Sequence, residues 1–174
     1  MSPSPPKYEV RKTSLASAEA QALIGQLNQA LYDANPNPAA HSWTISTQDV
    51  APGFGAFVIA YKTDTNEPVG CGAIRKIVLD ESSGLTEHTT TVAELKRMFV
   101  KKEFRGERIG RLIVGALEVI AKEECGVDRL VLETGPYLGD AIRLYEKCGF
   151  EKIPLFGEYA EKGPEFSACF GKSI

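Results

Sequence analysis

Apolar positions change their spacing several times along the chain, and each change marks a new element. Alternation over residues 8–12 predicts a short strand. Leu23, Leu27 and Leu31 then recur at fourfold spacing with Ile24 beside them. That is the stripe of an amphipathic helix, which Ser14 or Ser17 can cap and Asn35-Pro36-Asn37-Pro38 ends. Residues 39–52 have little periodicity and read as a loop or a short helical turn. Strands over 55–63 and 68–79 form a hairpin around the turn-rich Asp64-Thr65-Asn66-Glu67. Gly70 and Gly72 fall inside the second of these, where glycine marks a bulge or a close backbone approach. Residues 80–90, including His88, read as a polar surface connection, and 92–100 as a fourth strand.

Beyond this point the period lengthens. A helix over 108–124 carries Leu112, Ile113, Ala116, Leu117 and Ile120 as its apolar stripe and stops at Gly126. The run RLVLE, 129–133, predicts a strand buried between layers. Gly135-Pro136 opens a further helix that runs to Cys148 and stops at Gly149, with a strand over 150–153 behind it. In the tail a turn-rich middle precedes Phe166, Ala168 and Phe170, which alternate as a last strand. These two phenylalanines are either core or the edge-strand pair of a homodimer. A strand and helix, a run of strands and two strand–helix pairs predict an α/β or α+β fold with a mixed sheet.

At 174 residues the chain fits one domain, expected over 8–174 behind a disordered Ser/Pro-rich segment, 1–7. A formal charge of −3 argues against a nucleic-acid partner. No apolar run approaches the ~18–20 residues that span a bilayer, and the first residues lack a signal-peptide core, so a cytoplasmic protein without a membrane partner is predicted. Cys71, Cys125, Cys148 and Cys169 are dispersed, without a CxxC pair or a His at zinc spacing. They read as reduced, buried thiols, and no metal is expected.

Chemistry concentrates between Glu94 and Lys122. The loop Arg105-Gly106-Glu107-Arg108-Ile109-Gly110 opens directly into the long helix. A helix start exposes unpaired N–H groups and a partial positive charge, which together hold phosphate. The glycines match neither the dinucleotide fingerprint nor a P-loop, since Gly106 and Gly110 are followed by Arg111. Elsewhere, His41 is a base or a substrate contact, though no partner for it is visible in sequence, Tyr159 is either a pocket residue or a solvated loop residue, and Trp43 is a core or lid aromatic or a pocket wall.

Three blocks together resemble the GNAT superfamily of acyl-CoA-dependent N-acetyltransferases. Arg105, Arg108 and Gly110 occupy the marked positions of its Arg/Gln-x-x-Gly-x-Gly/Ala turn, with Arg108 in place of the middle glycine. Ala141-Ile142-Arg143-Leu144-Tyr145-Glu146-Lys147-Cys148-Gly149-Phe150 resembles its helix-to-strand block, and Glu94-Leu95-Lys96-Arg97-Met98-Phe99-Val100 its fourth strand. Leu138 stands where many members carry Asn or Gln against pantetheine. The resemblance implies a GNAT fold: a mixed, mostly antiparallel sheet of about six to seven strands, splayed between the fourth and fifth, flanked by about four helices.

It further implies acetyl-CoA as co-substrate. Met98, Phe99 and Val100 would meet its pantetheine and acetyl oxygen. Gly106, Glu107, Ile109, Gly110 and Arg111 would offer backbone N–H groups to phosphate, with charge from Arg105 and Arg108. Tyr145 is the expected general acid, since a phenol stays protonated at neutral pH. Glu94 is the expected base, or else an anchor for a cationic acceptor, with Glu133 in reserve. Trp43, His41, Glu133 and Tyr159 are the expected acceptor contacts. The implied reaction is direct acetyl transfer to a primary amine of a small molecule; a protein lysine or N-terminus, or a non-catalytic acyl-CoA sensor, are the alternatives.

Overall fold

Seven strands line up in one sheet in the computed structural model, which describes residues 5–41, 45–85 and 88–174. The elements in chain order are β1 (Tyr8–Lys12), α1 (Ala18–Ala34), β2 (Gly55–Lys62), β3 (Glu67–Leu79), β4 (Thr90–Val100), α2 (Ile109–Glu123), β5 (Arg129–Thr134), α3 (Gly139–Lys147), β6 (Glu151–Ile153), α4 (Glu158–Lys162) and β7 (Ala168–Ser173). The strand order is β1-β2-β3-β4-β5-β7-β6. Every neighbouring pair is antiparallel except β4 and β5, which run parallel.

Ser17, not Ser14, caps α1, its hydroxyl accepting from the Ala20 N–H at 3.2 Å. Leu23 is buried on one face of the sheet against Phe57, Ile59, Cys71 and Ala73. On the opposite face, Ile113, Val114, Leu117 and Ala121 of α2 pack against Val58, Ala60 and Leu130. Strand alternation places Arg75, paired in register with Glu94, on the α1 face together with Val92 and Val131, where Phe156 and, from α4, Tyr159 pack. The phosphate-loop helix and the short α4 therefore lie on opposite sides of the sheet.

Several expectations are corrected. Leu112 is 43% exposed, because the core face of α2 turns through Val114 and Ala121 instead. Residues 135–138 form a turn closed by the Leu138 N–H to the Gly135 carbonyl at 3.0 Å, so α3 starts at Gly139. The turn-rich tail contains α4, and Phe166 precedes β7 while Phe170 is core. Of the segment expected to be disordered, residues 1–4 lie outside the described ones; the carbonyls of Pro6 and Lys7 accept from Thr63. All four cysteines are free thiols, Cys148 only half-buried. Among the described residues no helix is long and apolar enough to cross a membrane.

Two irregularities shape the centre of the sheet. Pairing between β4 and β5 stops after Leu95↔Leu132, so the two strands diverge from Lys96 and Glu133 onward. One residue later the β3–β4 register shifts between Cys71 and Ala73, with Arg97 at φ 57°, a bulge that bends β4. Gly72 permits it. A Cβ there would sit 2.6 Å from Met98 Sδ and 2.7 Å from Ile113 Cγ2. Gly72→Ala is therefore expected to cost about 1–3 kcal/mol through overpacking, a fall of several degrees in Tm by scanning calorimetry. An unchanged Tm would show that Met98 moves aside freely.

Candidate active site

The loop after β4 builds the basic end of the site. Arg105 is tied back by its Nε, which donates to the Val100 carbonyl at 3.1 Å. Gly106 at φ 86° and Arg108 at φ 63° turn the backbone, and no side chain caps the start of α2. Its first N–H groups open into a cleft of about 1000 Å³. Met98, Phe99, Val100, Arg105, Gly106, Arg108, Ile109, Gly110 and Arg111 all line it. Glu107 does not. Its carboxylate accepts from the Tyr8 hydroxyl at 2.7 Å and pairs with Lys7, and these hydrogen bonds hold its pKa below the usual carboxylate range.

An uncapped helix start flanked by three arginines, one of them Arg111 within α2, fits the diphosphate of an acyl-CoA. Gly110 brings α3 close, since a Cβ there would lie 2.9 Å from Leu144 Cδ2. Arg108 holds a left-handed conformation that an L-residue pays for in strain. Arg108→Gly relieves that strain while deleting a cation, so acetyl-CoA affinity is expected to fall about tenfold or more at low salt with Tm unchanged or higher. Calorimetric titration at two ionic strengths checks this; an affinity insensitive to the change would remove Arg108 from the phosphate site.

Tyr145 lines the same cleft from α3. It is 6% exposed, with its ring edge-on to Phe150 at a centroid distance of 5.9 Å. Burial pushes its hydroxyl well above the usual phenol range, which keeps it protonated. Tyr145 packs with the α2 face, whereas Glu94 points to the α1 and α4 face. The gap where β4 and β5 part lies between them.

On that second face Glu94 is 1% exposed. Arg75 Nε donates to Glu94 Oε2 at 2.8 Å, and the Tyr159 hydroxyl donates to Oε1. Lys96 Nζ donates to the Tyr159 oxygen at 3.2 Å and stands 3.8 Å from Glu94 Oε1. Burial, then the Glu94 charge, drives the Tyr159 hydroxyl far above its ordinary value, and burial lowers the Lys96 ammonium. Burial works against the Arg75 charge, but Glu94 more than offsets it and raises its pKa.

Glu133 stands beside this quartet on the diverging end of β5. It is half-buried, accepts from the Ser167 hydroxyl at 2.8 Å, and has its pKa raised by burial. Arg97, on the bulge, donates to Asn28 Oδ1 of α1 at 2.8 Å. The structure thus brings Glu94, Glu133 and Tyr159 together with Arg75, Lys96 and Ser167, which the sequence does not single out as site residues; Arg75 was detectable only through the hairpin register. His41 Nε2 lies 2.6 Å from the Asn35 carbonyl at the end of α1. Trp43 lies outside the described residues. Among the described residues no group of three or more His, Cys, Asp and Glu side chains converges as a metal site.

The chain was compared with known proteins on this basis. The profile of the Acetyltransferase (GNAT) family matches residues 23–150. A protein of Azospirillum brasilense named IAA acetyltransferase is 36% identical over 160 residues, 92% of each chain. Among solved structures, a Klebsiella pneumoniae protein assigned as an acyl-CoA N-acyltransferase superposes with a TM-score of 0.71 at 25% identity, covering 96% of this chain and 97% of that one. A GNAT family acetyltransferase of Elizabethkingia anophelis with acetyl-CoA bound superposes with a TM-score of 0.63 at 15% identity, over 97% and 99% of the two chains. With its splayed β4 and β5, its helix-start cradle and a family match over most of its length, the chain belongs to the GNAT family of acetyltransferases, acyltransferases that take their acetyl group from acetyl-CoA.

Proposed function

We propose that this acetyltransferase acts on the primary amine of a small molecule, by direct transfer while both substrates are bound. The observation that carries this reading is the enclosure of the acceptor face. Its carboxylates, Glu94 and Glu133, lie under α4 and along the diverging strands rather than on an open surface. Carboxylates enclosed in this way suit a compact ammonium group better than an extended polypeptide.

Acetyl-CoA fits along the cleft, with its diphosphate at residues 105–111 and its thioester toward the parting of β4 and β5. Backbone groups of the bent β4 segment, Met98 to Val100, orient the acyl end. Tyr145 donates its hydroxyl proton toward the leaving sulfur. A phenol so far above its ordinary value is a weak acid, but a thiolate released into a dry cleft is correspondingly basic. Burial, against the opposing Arg97 charge, takes the Cys71 thiol of this protein up to about 12. Glu94 acts as the fixed anion around which Arg75, Tyr159 and Lys96 order the acceptor face.

A rate assay with acetyl-CoA against matched panels of free amines and of peptides with a free lysine or N-terminus tests the reading. Acetylation of free amines at the higher kcat/KM is expected. Preference for peptides would overturn the small-molecule acceptor, and tight acetyl-CoA binding without turnover on any acceptor would favour a sensor.

A further inference from the structure

We infer that Glu133, held by Ser167 at the parting of β4 and β5, is the group that takes the proton from the acceptor, and that Glu94 is a positioning residue. This inference rests on the amine-acceptor reading above. It begins from the different accessibility of the two carboxylates. Glu94 has both oxygens engaged, Oε2 by Arg75 and Oε1 by Tyr159, and its side chain is 2% exposed. A substrate ammonium reaching it would have to displace one of those partners and break a buried charge pair, which costs several kcal/mol.

Glu133 meets the opposite conditions. It is the first residue of β5 beyond the last β4 pair, so no strand covers its β4 side. It remains half-buried, and the one hydrogen bond that it accepts, from Ser167, goes to Oε1. Oε2 is then available to an N–H of the acceptor. An acceptor nitrogen must be neutral to attack, so its ammonium proton passes to Glu133 Oε2. The nitrogen lone pair forms the new N–C bond, the C–S bond breaks, and the departing sulfur receives the Tyr145 proton. The second proton, which the new amide nitrogen must lose, returns through water to the Tyr145 phenolate, and the proton on Glu133 leaves to solvent.

The surroundings of Glu133 suit a base working near neutral pH. Burial disfavours its anion and is the largest influence, raising its proton affinity. Ser167, then the Lys162 and Lys96 cations, oppose burial, and the Glu94 charge adds to it. The Glu133 charge in turn acts on Arg97 of β4, on the hydroxyls of Tyr137, Tyr145 and Tyr159 and on the Cys169 thiol of β7. Lys96 is the most telling of these. Tyr159 fixes its ammonium beside Glu94, so the closed Glu94 network acts on Glu133 through the position of one buried cation.

The test is the pH dependence of kcat/KM for the acceptor, measured for the wild type and for Glu133→Gln, Glu94→Gln and Ser167→Ala, with acetyl-CoA affinity and Tm recorded for each. The wild type should show an acid limb above the usual carboxylate range. Glu133→Gln should lose that limb and about 100-fold or more in kcat with acetyl-CoA affinity retained. Ser167→Ala removes a hydrogen bond that favours the anion, so the limb should move to higher pH. Glu94→Gln should keep the limb even where kcat falls. A limb that survives in Glu133→Gln, vanishes in Glu94→Gln, or merely follows the acceptor's own pKa across a series of amines overturns the inference.

If the wild type acetylates no amine, the amine-acceptor reading fails first, and a measurement without acceptor decides the rest. A carbon-13 titration of labelled glutamate carboxyls should then show Glu133 above the ordinary range and moving further up in Ser167→Ala. An ordinary value, unmoved by that substitution, overturns the inference.

Discussion

Tyr145→Phe should lower kcat by about 100-fold or more while leaving acetyl-CoA affinity and Tm close to those of the wild type. The expectation follows from where the side chain sits. The ring is buried edge-on to Phe150, and that packing survives removal of the hydroxyl. What disappears is a protonated donor lining the cleft, on the α2 and α3 side of the gap. Because a high pKa keeps the phenol protonated across the working range, its loss should scale the whole pH profile down without moving the acid limb. Turnover unchanged in the variant, measured by thiol release, would remove Tyr145 as the acid and leave a water molecule or the solvent in that role.

Arg75→Met should have the largest effect on stability. The guanidinium sits 2.8 Å from Glu94 Oε2, with side-chain exposures of 18% and 2% for the two partners. It also reaches Asp49 at 4.0 Å and Glu158 at 3.9 Å, which joins the loop before β2 and α4 to β3. Removing the cation strands a buried carboxylate, at a cost of about 3–5 kcal/mol and a fall in Tm on the order of 10 °C for a chain of this size. Arg75→Met combined with Glu94→Met removes both charges and should recover most of that loss. Should the double variant melt no higher than the single one, the pair is not what holds β3, β4 and α4 together. Activity is expected to be low in both variants, because Tyr159 and Lys96 lose the carboxylate that orders them.

The two halves of the site differ in how far they were legible in the sequence, for a physical reason. The acetyl-CoA side is local. Arg105 to Arg111 form one turn at one helix start, and their spacing alone fixes which backbone groups and cations share the cleft; the Glu107 side chain is the exception, drawn off by Lys7 and by Tyr8 of β1. The face around Glu94 and Glu133, proposed to take the acceptor, is assembled from β3, β4, β5, α4 and Ser167 just before β7. Its key distances depend on strand register, which apolar alternation along a single strand does not give. Arg75 lies 19 residues before Glu94, and only their pairing across the hairpin makes them partners.

The misread helix boundaries have similarly specific causes. Gly135-Pro136 has the form of a helix start, but the Tyr137 ring folds back so closely that a Cβ on Gly135 would lie 2.6 Å from it, and the chain turns before α3 begins. Five residues between Gly157 and Gly163, both at positive φ, are too few for α4 to show a helical period. Its Tyr159 is nevertheless the hydroxyl that links Glu94 to Lys96. Leu112 carried the right spacing and the wrong face, since a stripe one position wide cannot tell Leu112 from Val114 at the edge of a buried face.

Initial rates with both substrates varied, and the products identified by mass, decide whether acetyl passes directly from acetyl-CoA in the cleft to an amine on the opposite side of the β4–β5 gap. Direct transfer gives intersecting double-reciprocal lines, an acetyl group on the acceptor nitrogen and a protein of unchanged mass. Parallel lines, with one acetyl group appearing on the protein before it appears on the acceptor, would contradict it.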